Sequence, residues 1–228
     1  MSKKNSGWGR KRTVVCFVTL AFLFLALGIL MCEAGIAVKQ AEELSQAVFR
    51  LHIVANSDSK GDQELKLQVR DAIAVEMEKL LETQDSPTKE DTMALVQENI
   101  DRFIAVGQKV VEDAGYDYQV TAMVCNQAFP TKEYLSLTLP AWDYDCLRVD
   151  IGTGEGQNWW CVLFPQLCFK EGIVGKLEPE DEEYLDDTLS EDVVDMITVS
   201  AKEKPIRVQV RFKIVEIIQG IKETFRKD

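Results

Sequence analysis

"YQVTAMVC", residues 118–125, is where the chain changes its period. Val120, Ala122 and Val124 alternate with Thr121, Met123 and Cys125, the two-residue repeat of a strand. Upstream the apolar residues recur at three and four. Leu65, Val69, Ala72, Ile73, Met77 and Leu80 form one helical stripe, and Val96, Ile100, Phe103, Ile104, Val110 and Val111 a second. "DSPTKED" separates them. Ser86 or Thr88 is placed to cap the second helix, because Pro87 fits only a first turn. Downstream, "YLSLTLP" (134–140), "YDCLRVDIG" (144–152) and "WWCVLF" (159–164) continue as strands, punctuated by Pro130, Pro140, Gly152, Gly154, Gly156 and Pro165. Ahead of the helices, "VFRLHIVANSDS" (48–59) reads as another strand that ends at Asn56–Ser59. Strands and helices thus come in blocks, β-α-α-β-β-β-β. That order predicts an α+β fold with a mainly antiparallel sheet carrying two packed helices, here over residues 48–175.

The N-terminus has a different chemistry. Lys3, Lys4, Arg10, Lys11 and Arg12 precede "TVVCFVTLAFLFLALGILM" (13–31), which carries no charge. A basic head before an apolar run marks a signal peptide or a membrane anchor over residues 1–34. The run is long enough to span a bilayer, which takes ~20 residues. Cleavage after Ala34 or Ala37 and retention as an anchor both remain open. Residues 35–47 read as a linker or helical stem. Either way the basic head stays in the cytoplasm and the rest is exported.

Charge narrows the partners. The chain has 26 basic and 38 acidic residues. Five of the basic and none of the acidic lie within 1–32, so the remainder holds 21 against 38, a net charge of −17. Nucleic acid and anionic lipid both require basic surface, so neither is expected, and membrane contact is expected only through the N-terminal segment. From Glu178 to Asp195 there are ten acidic residues and no basic one. Residues 176–204 are read as an acidic connector with helical pieces around 184–189 and 193–197. Residues 205–228 are read as a strand, from the alternation of Ile206, Val208 and Val210 with Arg207, Gln209 and Arg211, followed by an amphipathic helix.

Catalytic constellations are hard to assemble from this chain. His52 is its one histidine, which rules out a multi-histidine metal site, and it falls on the polar side of its strand. A hydrolase would have to use His52 or Cys161, and no base or electropositive setting accompanies Cys161. "NSDSKGDQE" (56–64) fails as a calcium loop, since Lys60 occupies a ligand position and Leu67 the place of the closing glutamate. It reads better as turn and cap oxygens for the helix that follows. "GTGEGQN" (152–158) is followed by a strand instead of a helix, so it reads as a hairpin turn and not a phosphate cradle. No enzyme activity, cofactor or metal is expected. Four cysteines, Cys125, Cys146, Cys161 and Cys168, lie beyond the N-terminal segment 1–34. Cys161 and Cys168, with six residues between them, are too far apart in sequence for a CxxC centre. Pro165 can turn the chain so that they close a disulfide; free core thiols and a nucleophilic Cys161 are the other readings. Cys125 and Cys146 form a possible second pair.

"RLHIVANSDS", "LKLQVRDAI" and "FPTKEYLSLTLPAWDYDCLRVDIGTGEGQNWWCVLFPQLCF", together with the export segment, resemble the stage II sporulation protein R family over residues 48–172. The resemblance implies a protein made in the forespore and exported into the space between forespore and mother cell. There it would trigger a membrane-embedded aspartic peptidase that processes the sigma-E precursor. The signature residues fall on Arg50, Leu51, Ala55, Asn56, Ser57 and Asp58, on Phe129, Pro130, Thr131 and Lys132, and on Asn158, Trp159, Trp160, Cys161 and Cys168. Cys125 and Cys146 lie outside those signatures. Trp159, Trp160 and Trp142, with Asn56, Asp58 and Lys132, are the candidate partner-binding residues, aromatic anchors being favoured at interfaces. Neighbours on a strand face opposite ways, so Trp159 and Trp160 cannot share one core, and one of them is expected to pack the sheet while the other is presented. An envelope protein without signalling duty is the further alternative.

Overall fold

A computed structural model describes residues 6–82, 84, 87–134, 137–165, 179–198 and 206–226. The first helix, α1 (Ser6–Ala47), runs without a break from the apolar segment into the domain. Val14 to Met31 stand exposed along it, whereas Ala37, Ala41, Leu44 and Ala47 are buried. Of the two readings for 35–47, the helical stem is the one found. Next come β1 (Phe49–Val54) and α2 (Lys60–Leu81). The second helical stripe is divided at Asn99 into α3 (Lys89–Glu98) and α4 (Ile100–Asp113). Thr88 caps α3 in a reciprocal capping box with Asp91, so Pro87 sits just ahead of the cap.

The strands follow as β2 (Val120–Phe129), β3 (Lys132–Tyr134), β4 (Leu137–Leu139), β5 (Trp142–Ile151) and β6 (Asn158–Phe164). Four of them make one sheet in the order β2-β5-β1-β6. Its β2–β5 and β1–β6 ladders are antiparallel and its β1–β5 ladder is parallel. β3 and β4 form a separate two-stranded hairpin. Three helices close the chain: α5 (Pro179–Thr188), α6 (Glu191–Thr198) and α7 (Ile206–Arg226).

The sheet is covered on both faces. Leu51, Ile53, Leu147, Val149, Ile151, Cys161 and Leu163 pack with Leu65, Val69, Ile73, Met77, Phe103 and Val111 of the α2–α4 layer. The other face presents Tyr144, Cys146, Val162, Phe129 and Trp142 to Leu44 of the α1 stem, to Leu185, Val193 and Met196 of α5 and α6, and to Phe212 and Val215 of α7. A strand buried on both faces cannot keep a solvent side, and all six residues of β1 are buried.

Two expectations need correction. The alternation at 206–211 does not make a strand: Ile206–Arg226 is helical throughout. Phe212, Val215 and Gln219, at helical spacing, are its buried face, and Ile206 is left 80% exposed. Tertiary packing of that face outweighs a short period-two pattern. The acidic segment is not a mere connector over its described part either. Its helical pieces lie where the pattern put them, but Leu185, Leu189, Val193, Met196 and Ile197 are core residues. The acidic residues of 186–195 occupy the outer sides of these helices, where the carboxylates stay hydrated.

Candidate functional site

Two of the signature segments, a hundred residues apart in the chain, meet at one corner of the sheet. β5 and β6 flank β1 on opposite sides. The loop 152–157 must therefore cross the end of β1, where Asn56 begins, and is not the hairpin turn that its glycines suggest. Gly156 N donates to Ala55 O (2.8 Å), Thr153 N to Asn56 Oδ1 (3.0 Å), and Thr153 Oγ1 to Asn56 O (3.0 Å). Gly152 adopts φ +60 and faces Asn56 Oδ1, while a side chain at Gly156 would collide with Ser57 O. Glycine is demanded at both positions.

The turn 56–59 is fixed from the other side by α2. Ser59 Oγ accepts from Asp62 N (3.1 Å) as the N-cap. Asp62 Oδ2 accepts from Asn56 Nδ2 (3.1 Å) and Ser57 Oγ (2.5 Å). Burial raises the pKa of Asp62, but the hydrogen bonds from Ser57 and Asn56 outweigh it and hold the carboxyl below its usual range. Lys66, 4% exposed, ties the loop down by donating to Gln157 O (2.9 Å). Burial lowers its pKa. Asp58 stands exposed at the tip and Asn56 is half-buried.

The two tryptophans separate as strand geometry requires. Trp159 points to the α2 face, where its ring meets the Arg70 guanidinium 4.4 Å from the centroid. Trp160 points to the opposite face and stacks on His52, with centroids 3.8 Å apart and planes inclined 13°. Both are half-buried. The expectation of one core and one presented tryptophan gives way to two partly covered rings. Trp142 is 7% exposed, with Lys222 Nζ 3.8 Å over its ring. It is a core residue beneath α7. Lys132 is half-buried on β3.

Behind Trp160 lies a buried polar network that the alternation of β1 does not announce. Arg50 is fully buried. Its guanidinium sits 4.2 Å from the Phe129 centroid and 4.9 Å from that of Tyr144; Nε donates to Cys161 O (3.2 Å) and Nη2 to Tyr134 Oη. Nη1 has no hydrogen-bond partner. Aromatic faces and neutral oxygens therefore surround this cation in place of a carboxylate.

His52, 4% exposed, contacts Asn158 Oδ1 through Nε2 (2.7 Å) and Gln127 Nε2 through Nδ1 (2.5 Å). Arg148 Nη1 donates to Gln127 Oε1 (3.4 Å), which turns the Gln127 amide nitrogen toward the ring. Nδ1 must then accept, and Nε2 carries the proton. A second proton would face an amide donor. Burial, together with the Arg148 charge, keeps the histidine pKa below 6.5 against the opposing pull of its hydrogen bonds. A histidine held between two amides engages no nucleophile.

Cys161 is 5% exposed and disulfide-bonded. Cys168, its expected partner, lies outside the described residues. Cys125 and Cys146 are thiols facing each other across the β2–β5 ladder. Among the described residues no three metal-ligating side chains cluster.

Arg50, Asn56, Ser57, Asn158 and Trp160 were legible as signature residues. Arg70, Asp62, Gln127 and Thr153 were not singled out. Asp62 alone had a local signal, its place in the first turn after a serine cap.

These features define a class: an α+β domain carried on an N-terminal apolar helix of the signal or anchor type. The family model described as stage II sporulation protein R matches residues 45–173. Stage II sporulation protein R of Bacillus subtilis (strain 168) is 30% identical over 224 residues, which covers 93% of this chain and 99% of that relative. No solved structure matches. The chain belongs to the stage II sporulation protein R family.

Proposed function

We propose that this protein is an exported signal of endospore formation. In this reading it leaves the forespore by its N-terminal segment and enters the space between forespore and mother cell. There it triggers a membrane-embedded aspartic peptidase that processes the sigma-E precursor, without being an enzyme itself. Family membership supports the sporulation role. The N-terminal apolar helix supports export.

The observation that carries the recognition role is the corner itself. Asn56–Asp58 and Gly152–Asn158 are locked to one another by backbone and side-chain hydrogen bonds, and they leave Asp58, Thr153 and Glu155 exposed. A rigid polar tip beside a half-covered tryptophan offers a preorganised contact at low entropic cost. The reading of a secreted hydrolase gains nothing from His52, which is enclosed, hydrogen-bonded to amides and stacked beneath Trp160.

The test is reconstitution. The full chain, co-expressed with the peptidase and the sigma precursor, should start precursor cleavage. Asp58→Lys should lower that output while leaving the unfolding midpoint within experimental error. No cleavage with correctly exported, folded chain would overturn the proposal. Undiminished signalling by Asp58→Lys combined with Thr153→Lys would remove the corner from it.

A further inference from the structure

Cys125 and Cys146 are not among the signature residues of the family resemblance, and the signalling role makes no use of them. They stand directly opposite each other in the β2–β5 ladder. Residues so placed in an antiparallel pair have Cα atoms about 4.5–5.5 Å apart, within the ~4.4–6.8 Å that a disulfide spans. Their Sγ atoms are 3.8 Å apart. Closing to the ~2.05 Å of an S–S bond takes less than about 2 Å of sulfur movement, which rotation about the side-chain torsions supplies with both strands in place. β2 is an edge strand, Cys125 is half-exposed on it, and Cys146 is buried behind. From this geometry we propose that Cys125 and Cys146 are a redox modification site, a cross-strand pair that closes reversibly to a disulfide and clamps the edge strand β2 to β5.

The reaction has a defined direction of attack. A hydrogen bond from Cys146 lowers the pKa of Cys125 to about 7, with help from the Arg148 charge. A sizeable thiolate fraction is therefore present near neutral pH at the accessible member of the pair. The hydrogen bond with Cys125 and burial push Cys146 upward, so that it keeps its proton. The oxidant is a disulfide of the thiol–disulfide exchange class, low-molecular-weight or protein-borne. Cys125 Sγ attacks one of its sulfurs, its S–S bond breaks, and one sulfur leaves as a thiol. Cys146 then loses its proton and attacks Cys125 Sγ, which releases the second oxidant sulfur as a thiol. Two thiols here lose two electrons, two oxidant sulfurs gain them, and the two protons end on the released thiols.

The pair reports to the buried network. Gln127 Nε2 donates to Cys146 Sγ (3.2 Å) and faces His52 Nδ1 (2.5 Å). Drawing the Cys146 sulfur toward Cys125 loosens the Gln127 contact, so the two redox forms differ at the His52–Trp160 stack. The oxidising setting rests on the export reading; the chemistry of the pair does not.

The experiment uses the full chain in detergent micelles, equilibrated at pH 7.5 with graded mixtures of reduced and oxidised glutathione. The samples are acid-quenched, alkylated and mapped by mass spectrometry. A peptide linked through Cys125 and Cys146 should rise as the couple becomes oxidising and vanish with reductant, and the thermal midpoint should rise by roughly 5 °C in step. Cys125→Ser and Cys146→Ala, each checked for fold by circular dichroism, should abolish the link and the shift. His52 is the chain's one histidine, so its ring resonances are assignable, and they should move between the two forms. The proposal is overturned if both cysteines stay alkylatable in the oxidising couple, or if Cys125 stops at a mixed disulfide with glutathione. A link from either cysteine to a different one overturns it as well. Histidine resonances that stay put would remove the coupling to the network. No peptidase is present in this assay, so its failure and that of the signalling proposal are separable.

Discussion

Gly156 shows how sharply single residues define the corner. A β-carbon there would run into the carbonyl of Ser57, and backbone cannot yield as a flexible side chain can. Gly156→Ala is expected to cost ~2–4 kcal/mol by urea denaturation, the size associated with strain at a special backbone site. Asp58→Ala, at the exposed tip, should stay within ~0.5 kcal/mol. A nearly silent Gly156→Ala would mean that the loop is free to move off β1. His52 gives the residue scale its pH dependence. Its folded pKa lies below the 6.5 of the unfolded chain. Between those two values the unfolded state binds more protons, so stability is complete above about 6.5 and declines as pH falls toward the folded pKa. Urea midpoints should therefore drop from pH 7.5 to pH 5.5, and His52→Gln should flatten that slope. An equal slope in the variant would assign the pH dependence elsewhere.

At the scale of elements, the α1 stem joins the export segment to the core. Ala41 is fully buried and Leu44 1% exposed, and Arg211 Nε of α7 pairs with Glu33 Oε2 at 2.8 Å. A chain beginning at Gly35 retains the whole buried stripe of the stem and should unfold cooperatively; one beginning at Val48 loses Ala37, Ala41, Leu44 and Ala47 together and should not. Leu44→Ala alone should cost ~2–5 kcal/mol. Near-UV circular dichroism and thermal unfolding distinguish these cases. The same element explains what the sequence left hidden. The strands from 118 to 164 and the helix from 60 were legible because each pattern is local. The fate of Arg50 was not, because an arginine alternating with Leu51 reads as solvent-facing. It is buried only because α1, α5, α6 and α7, remote in the chain, cover that face. The period-two alternation over 206–211 conceals the C-terminal helix for the same reason: the partner that selects its buried face lies some 170 residues upstream, as in the Arg211–Gln40 contact. At the corner, Asn56 and Asp58 were legible from composition. Their coupling to Thr153 depends on the sheet order, which no local pattern contains.

On the scale of the whole molecule, charge decides what the domain can approach. Beyond residue 32 acidic residues outnumber basic ones 38 to 21. The exposed apolar residues of α7, Ile217, Ile221 and Phe225, resemble at first sight a helix made to lie on lipid. An interfacial helix also needs free cations on its flanks, and the described ones on α7 are engaged. Arg211 pairs with Glu33, Lys213 with Glu216, and Lys222 and Arg226 both with Asp143. The expected behaviour in vesicle flotation follows. The full chain should float with phosphatidylglycerol vesicles through residues 13–31, and a chain beginning at Gly35 should stay in solution. Salt supplies the sign. Repulsion between an acidic domain and an anionic surface is screened within about 10 Å at 0.1 M. Any residual association of the shortened chain should therefore grow as salt is added. Association that is strongest at low salt and released by salt would show that α7 frees its cations to meet the membrane, and would overturn the reading of α7 as a lipid-averse face.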